Sequence, residues 1–477
     1  MAFTQQFLFD KTGKPFISLT GGYAGIEINQ YGNCMALDKN DRLYVPGYFR
    51  HTFRSTPAFY PNSGWLGQYS ELGNLNWQRS IGGSNASDYY ADGELLNDIA
   101  ISPDGDYVYT VGTNTNSGWN HNVLIIKYDK DGTIQWKKEW GQSGTLENCW
   151  TCATDSNGNL FVGGDLFFIG QSNSYHAFML RIMNTGGSSG VPGTSTVIYP
   201  HLFGTEIATY RDIVVDDNDN VYACGSGGNP GDAFIVKYNF QASGSVIQWQ
   251  KNISRGSTYY EAIESLAVDT SGNVYGIGYS NPNGGDGVIL KFNSSGTLQW
   301  SKYIGNTGER STYGIACDRD DNVYVVGKDK TNQSPYRDFL IVKLNSSGTV
   351  QWKRSFGATG RYSNGYAISV DSQDNIVVSG SVYFVPGTHT GGYDYQNLLI
   401  ARFPSDGTGT GTYSLNGYSF VYQPTTAGVG NISSPAFSVT NANNSYSGLS
   451  AGSGGYGLRT SSQSDGTWDL DSTFIVP

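Results

Sequence analysis

Charged residues are scarce in this chain of 477 residues: they make up 14% of it, against a usual share of roughly 25%. That shortage excludes a helical bundle, which is rich in Ala, Leu, Glu and Lys. An acidic disordered chain is also excluded, because aromatic residues reach 14% and such chains carry few. Cysteine is sparse. Cys34, Cys149, Cys152, Cys224 and Cys317 are odd in number and irregular in spacing, so they do not read as a disulfide framework. Synthesis in a reducing cytosol is the expectation. The opening MAFTQQFLFDKTGKPF lacks a basic region, a long apolar core and a small-residue cleavage site, so no signal peptide is expected. No run approaches about 18 uninterrupted apolar residues, so no helix is expected to span a bilayer. Basic residues are outnumbered, 29 Lys and Arg against 40 Asp and Glu, which leaves a net charge of −11. A field of that sign repels phosphate, so neither nucleic acid nor an anionic membrane is an expected partner.

Catalytic signatures are missing as well. There is no G-x-S-x-G elbow, no H-E-x-x-H, no Walker loop and no dinucleotide fingerprint between a strand and a helix. No pair of carboxylates suited to glycoside cleavage stands out. The expectation is a protein that is not an enzyme and holds no cofactor.

What is present is a repeat. Six segments superpose: 97–112, 152–164, 211–225, 265–278, 313–327 and 366–380, with a weaker seventh at 33–47. An anchor acid recurs at Asp38, Asp155, Asp216, Asp269, Asp318 and Asp371, with Ser102 in its place in the second copy. Each copy has a second half, clearest at 123–141, 288–305 and 339–357. One repeat thus holds four short β-rich runs, a to d. Runs a and d alternate, whereas b and c are almost continuously apolar, which indicates strands covered on both faces. Sheets of that kind are soluble only when stacked, and closing the stack into a ring protects its ends.

The turns agree. Between a and b lie SNGN, DNDN, TSGN and RDDN; between c and d lie DKDGT and NSSGT. Their late positions hold Gly, Asp or Asn, which tolerate positive φ. They look superficially like calcium loops, but the carboxylates are too few and the terminal Glu is absent. The recurring Asp is expected to bond turn amides instead. Tryptophans 77, 136, 249, 300 and 352 share one position in run d. Recurrence in so many copies points to packing between sheets rather than to ligand stacking.

The halves D-x-x-G-N-x-Y-x-x-G and D-x-F-I-x-K-x-N-x-x-G-T-x-x-W resemble the SBBP group of β-propeller repeats. Asp232–Ala233–Phe234 and Arg337–Asp338–Phe339 open that second half. The resemblance covers about residues 30–405 and implies a propeller of four-stranded antiparallel blades over 23–405. It is nearly silent on function, because propellers host many activities. Seven copies give seven blades, or eight if the two chain ends make one more. Residues 1–22 contain a further c–d half, expected to close the ring on the last blade. After about residue 405 the composition turns to Gly, Ser, Thr, Asn and Tyr. The segment 406–477 reads as an extended C-terminal β extension, docking on a partner or forming a small appendage. Its ARFPSDGTGTGTY and polar β-prone continuation resemble the ends of virion proteins of tailed phages, notably marine cyanophages. That resemblance implies a structural protein of the virion, a tail or appendage module assembled in the host cytoplasm. Its partners would be other virion proteins, in multiple copies, with a host-surface glycan as a further contact. A carbohydrate-binding adhesin and a bacterial surface SBBP protein or propeller enzyme are the alternatives.

In a four-stranded meander, the a–b and c–d turns share one face, and the b–c and d–a connections share the other. The second set differs in every copy, so recognition is expected there. That face carries Trp119, His121, Tyr175, His176, Tyr336, Arg337, Tyr393 and Tyr395, suited to stacking on sugar or anchoring a protein. His51, His121, His176 and His389 fall in b–c segments, but a ring spreads them too far apart to share a zinc ion. Cys149 and Cys152, three apart in a strand, are expected on opposite faces.

Overall fold

A computed structural model describes residues 2–6, 16–22, 27–30, 34–52, 62–71, 73–81, 94–116, 120–141, 144–168, 175–184, 195–198, 208–227, 231–241, 244–256, 260–281, 286–304, 312–332, 336–384, 395–415, 418–431, 437–441 and 459–460. Among them there are strands and turns and no helix. Seven antiparallel sheets follow one another as blades of a propeller, most of them built on four strands in the order a-b-c-d. In blade 2 these are Glu94–Ile101, Tyr107–Asn116, Asn120–Asp129 and Ile134–Trp140. Val123, Leu124, Ile125 and Ile126 are all buried in strand c. Alternate residues face the two neighbouring blades, which is why b and c read as unbroken apolar runs. The core is a set of layers between blades. Val111 and Ile125 of blade 2 pack with Val162, Phe178 and Leu180 of blade 3.

The anchor acid builds the a–b turn. In blade 5, Asp269 Oδ1 accepts the amides of Ser271 at 3.1 Å and Asn273 at 2.8 Å. Its Oδ2 accepts Asn273 Nδ2 at 2.8 Å and the Tyr275 hydroxyl at 2.9 Å. Strand c adds a cation, with Lys291 Nζ 3.6 Å from Oδ2. Blade 6 repeats the arrangement at Asp318 with Asn322, Tyr324 and Lys343. The carboxylate oxygens are thus committed to turn donors. The corner of the turn needs positive φ, and Asp41, Asp374, Asp219 and Asp321 take it at 58°, 61°, 59° and 60° where the other three copies use glycine. The side chains of Asp219 and Asp321 then reach the preceding blade: Asp219 accepts Ser156 N at 2.8 Å, and Asp321 accepts Thr270 N at 3.0 Å.

The run-d tryptophans pack between blades. Trp300 Nε1 donates to Ser346 O of the next blade at 3.2 Å, and a Cβ on Gly348 would lie 2.9 Å from its ring. Trp352 does the same to Ser405 at 3.0 Å and to Gly407. Each turn glycine is therefore needed twice, for its φ near +75° and for the indole above it.

The ring closes between blades 7 and 1. The N-terminal strand Phe16–Gly22 pairs with Tyr395–Phe403 and becomes the outer strand of blade 7, with Ala2–Gln6 beyond it. Asp41 of blade 1 accepts Ser372 N of blade 7 at 2.8 Å, the same contact that joins blades 3 and 4. Leu43, Val45 and Trp65 of blade 1 share a core with Val377, Leu398 and Ile400 of blade 7. The described residues form seven blades and no eighth, with the N-terminal strands taken up by blade 7.

The C-terminal segment runs backwards around the rim. Tyr418–Pro424 pairs with strand d of blade 6, Val429–Asn431 with blade 5, Ser438–Asn441 with blade 4, and Arg459–Thr460 with blade 2. One register serves all four. The residue two after the blade's tryptophan, Arg354, Lys302, Lys251 or Lys138, faces Pro424, Asn431, Asn441 or Thr460. Phe420 and Tyr422 are fully buried beside Phe356 and Phe403, and Val429 and Val439 pack on the cores below them. These strands cover outer edges that would otherwise present unpaired backbone groups.

Candidate functional site

Strands b and c extend further onto the variable face than the sequence suggests. Asn120 and His121 pair with Asn116 and Thr115, and Tyr175 and His176 pair with Phe167 and Leu166. Several residues expected in loops therefore sit on strand ends. His121 Nδ1 lies 3.2 Å from Asn148 Oδ1. Tyr175 is 43% exposed and packs against Phe167, their rings 5.2 Å apart. His176 is half-buried beside it. Tyr336 and Arg337 lie at the blade 6–7 boundary, where both meet the Tyr362 ring. Tyr395 begins strand c of blade 7, opposite Phe384; its side chain, and all of Trp119 and Tyr393, lie outside the described residues. The face thus separates a group around His121 and Tyr175 from a second around Tyr336 and Arg337.

The innermost strands carry a feature absent from that list. In each of blades 2 to 7 the a–b register slips by one residue at the same place. The unpaired residues are Asn97, Trp150, Arg211, Glu264, Tyr313 and Tyr366. A bulge of this kind re-aims a side chain. All six line one open cavity of about 500 Å³ bordered by residues of all seven blades. Each stands five positions before its anchor, so aligning the copies brings them into one column with six entries of five residue types. That column was the available signal. Nothing in the letters alone says that the column is a bulge.

A second cavity of about 310 Å³ shares Trp150 and Arg211 with the first and continues between blades 3, 4 and 5. Tyr175 and Tyr260 flank it, with Asp165, Asn148 and Thr209 in its wall. Asp165 accepts Trp150 Nε1 at 2.6 Å, Thr209 Oγ1 at 2.7 Å and Asn148 Nδ2 at 2.9 Å. Those donors fix the indole edge-on to the carboxylate. The Arg211 guanidinium lies over the indole face, 5.4 Å from its centroid.

Two half-buried carboxylates next to the ring have a different task. Asp98 accepts the amides of Cys152 at 2.7 Å and Ile99 at 2.8 Å. Asp212 accepts Leu266 N at 2.7 Å and Ser265 Oγ at 2.9 Å from blade 5, and Thr151 Oγ1 at 3.2 Å from blade 3. They tie inner strands together. Burial raises the Asp98 carboxyl, and burial followed by the Asp98 charge pushes Asp212 up to about 7.

The bulge at Trp150 also corrects the cysteine expectation. It adds a residue between Cys149 and Thr151 without adding a ladder step, so Cys149 and Cys152 fall on one face and share one core layer. Both are free thiols, raised by burial first and by the Asp98 charge second.

Residues 299–328 match the β-propeller repeat SBBP. The matched stretch joins strand d of blade 5 to strands a and b of blade 6. No curated protein sequence matches the chain. Similar solved structures include a protein of unknown function from Dyadobacter fermentans, at 11% identity and a TM-score of 0.41, covering 65% of this chain and 95% of that one. Another is the β-propeller domain of Cps50 (Swd1) from Myceliophteria thermophila, at 10% identity and a TM-score of 0.43, covering 79% and 99%. A third is the gluconolactonase XC5397 from Xanthomonas campestris, at 9% identity and a TM-score of 0.32, covering 62% and 90%.

Proposed function

We propose that the protein is a non-enzymatic structural protein of a tailed-phage virion. It is a propeller module of the tail or of a capsid-attached appendage, held among other virion proteins, and it meets the host surface with its axial face. The observation that carries this reading is the division of labour within the repeat. Turn geometry fixes one face, the chain's own ends cover most of the rim, and chemical variety collects in the six bulged residues around the axis. Asp165, the carboxylate in the adjoining cleft, is engaged by three donors, which suits a positioning role better than that of a base. The virion assignment is supported by the sequence of the C-terminal segment.

Mass spectrometry of purified particles tests it: the protein should be present at a fixed ratio to the tail proteins, and its absence from washed particles would refute it. A carbohydrate-binding adhesin is a second reading, favoured by Trp150, Tyr175 and Tyr260 around one cleft.

A further inference from the structure

We infer that the axial ring and the cleft beside it form a binding site for a neutral saccharide, with Trp150 as its stacking platform and Arg211 and Glu264 as its polar clamp. The inference rests on the reading that this face makes the recognition contact, and it adds a ligand class and named residues.

Three observations converge. The first is aromatic surface. Trp150 belongs to both cavities; Tyr313 and Tyr366 face it across the larger, their rings 5.5 Å apart, and Tyr175 and Tyr260 flank the smaller. Flat apolar faces beside polar edges match a pyranose ring, which has C–H groups on its faces and hydroxyls at its rim. Tyr260 is held for this: its hydroxyl lies 3.1 Å from Ser226 Oγ, and Gly231 packs so closely that a Cβ there would approach its ring to 2.4 Å.

The second is unspent polar capacity. Arg211 Nε is buried and has no hydrogen-bond partner, and among the described residues the guanidinium has no carboxylate partner. Glu264 stands at the equivalent position of the next blade, half-buried and without a hydrogen bond or ion pair among the described residues. Both therefore have hydrogen-bonding capacity to offer a ligand in the cavity. Arg211 only donates and an ionised Glu264 only accepts. A hydroxyl does both, so one sugar with neighbouring hydroxyls satisfies the pair.

The third is charge. An anionic ligand would meet Glu264 and a chain of net charge −11; a cationic one would meet Arg211. A neutral polyol meets neither objection. The cavities, about 310 and 500 Å³, fall in the range of roughly 300–1,000 Å³ usual for small-ligand sites.

The test is a printed array of neutral glycans (glucose-, galactose- and mannose-terminated) and acidic ones (sialic-acid- and uronate-terminated). The full chain is probed with Trp150→Ala, Trp150→Phe, Arg211→Met and Glu264→Gln, and with Tyr303→Ala on the outer rim as a control. The wild type, W150F and Y303A should retain a subset of neutral glycans. W150A, R211M and E264Q should each lower that signal at least tenfold, and circular dichroism should show that each remains folded. Retention of acidic glycans only, of no glycan, or of neutral glycans equally by all variants overturns the inference. Host-cell adsorption separates this inference from the reading beneath it. Adsorption that R211M and E264Q leave intact means that this site fails while the recognition face stands; a wild-type protein that never adsorbs removes both.

Discussion

A chain ending at Thr410 should melt at least about 10 °C below the full-length protein or fail to stay soluble. The loss follows from what the C-terminal strands bury. Phe420 and Tyr422 are completely covered; Phe403 stacks on Tyr422 at 4.1 Å and lies edge-on to Phe356 at 5.0 Å. Truncating one such aromatic costs about 3–5 kcal/mol. Ala427 is also buried, at the corner where the strand passes from blade 6 to blade 5, and Thr425 bonds Asp329 there. Unfolding entropy scales with length, so each kcal/mol moves the melting point of a chain this long by about 1 °C. Phe420→Ala alone should therefore lower it by about 3–5 °C, and the truncation should exceed that several-fold. Differential scanning calorimetry of the two variants checks both figures; an unchanged melting point for the truncated chain would mean that the belt adds nothing to the ring.

Deleting residues 1–22 should have a comparable effect by another route. The deletion removes five paired positions, from Phe16 opposite Arg402 to Thr20 opposite Leu398. Strand c of blade 7 becomes an edge, and its backbone groups beside the buried Leu398, Leu399 and Ile400 lose their pairing partners. An exposed apolar edge of this length templates pairing with other chains. Size-exclusion chromatography should show oligomers or aggregate in place of a monomer. A monomer that melts like the wild type would show that this strand does not lock the ring.

The scaffold was legible because it is written seven times. Asp269, Asn273, Tyr275 and Lys291 recur as a set, so the turn can be reasoned from any copy and checked against the others. The same holds for Trp300 and Trp352 above Gly348 and Gly407. The belt was harder to see because it is written once per blade in short runs. Tyr422, Val429 and Val439 fill equivalent places, but separations of 7 and 10 residues mark no period. Its pairing is dictated by the strands that receive it. The axial ring was hidden for a different reason. A bulge adds a residue without changing the local pattern of apolar positions, so alternation read through Trp150 puts Cys149 and Cys152 on opposite faces and hides the outward turn of the bulged residue. Tyr175 links the two views, since it lies on the expected face and also borders the cleft.

The claim that the axial residues serve recognition rather than stability is tested most directly by the melting temperature of the doubly substituted Arg211→Met, Glu264→Gln protein. Groups kept for a ligand leave the empty protein with unpaired charge, so their removal should leave the melting point unchanged or raise it by a few degrees. A fall of more than about 5 °C would correspond to several kcal/mol in a chain of this length, and would show that the two side chains hold the blades together instead.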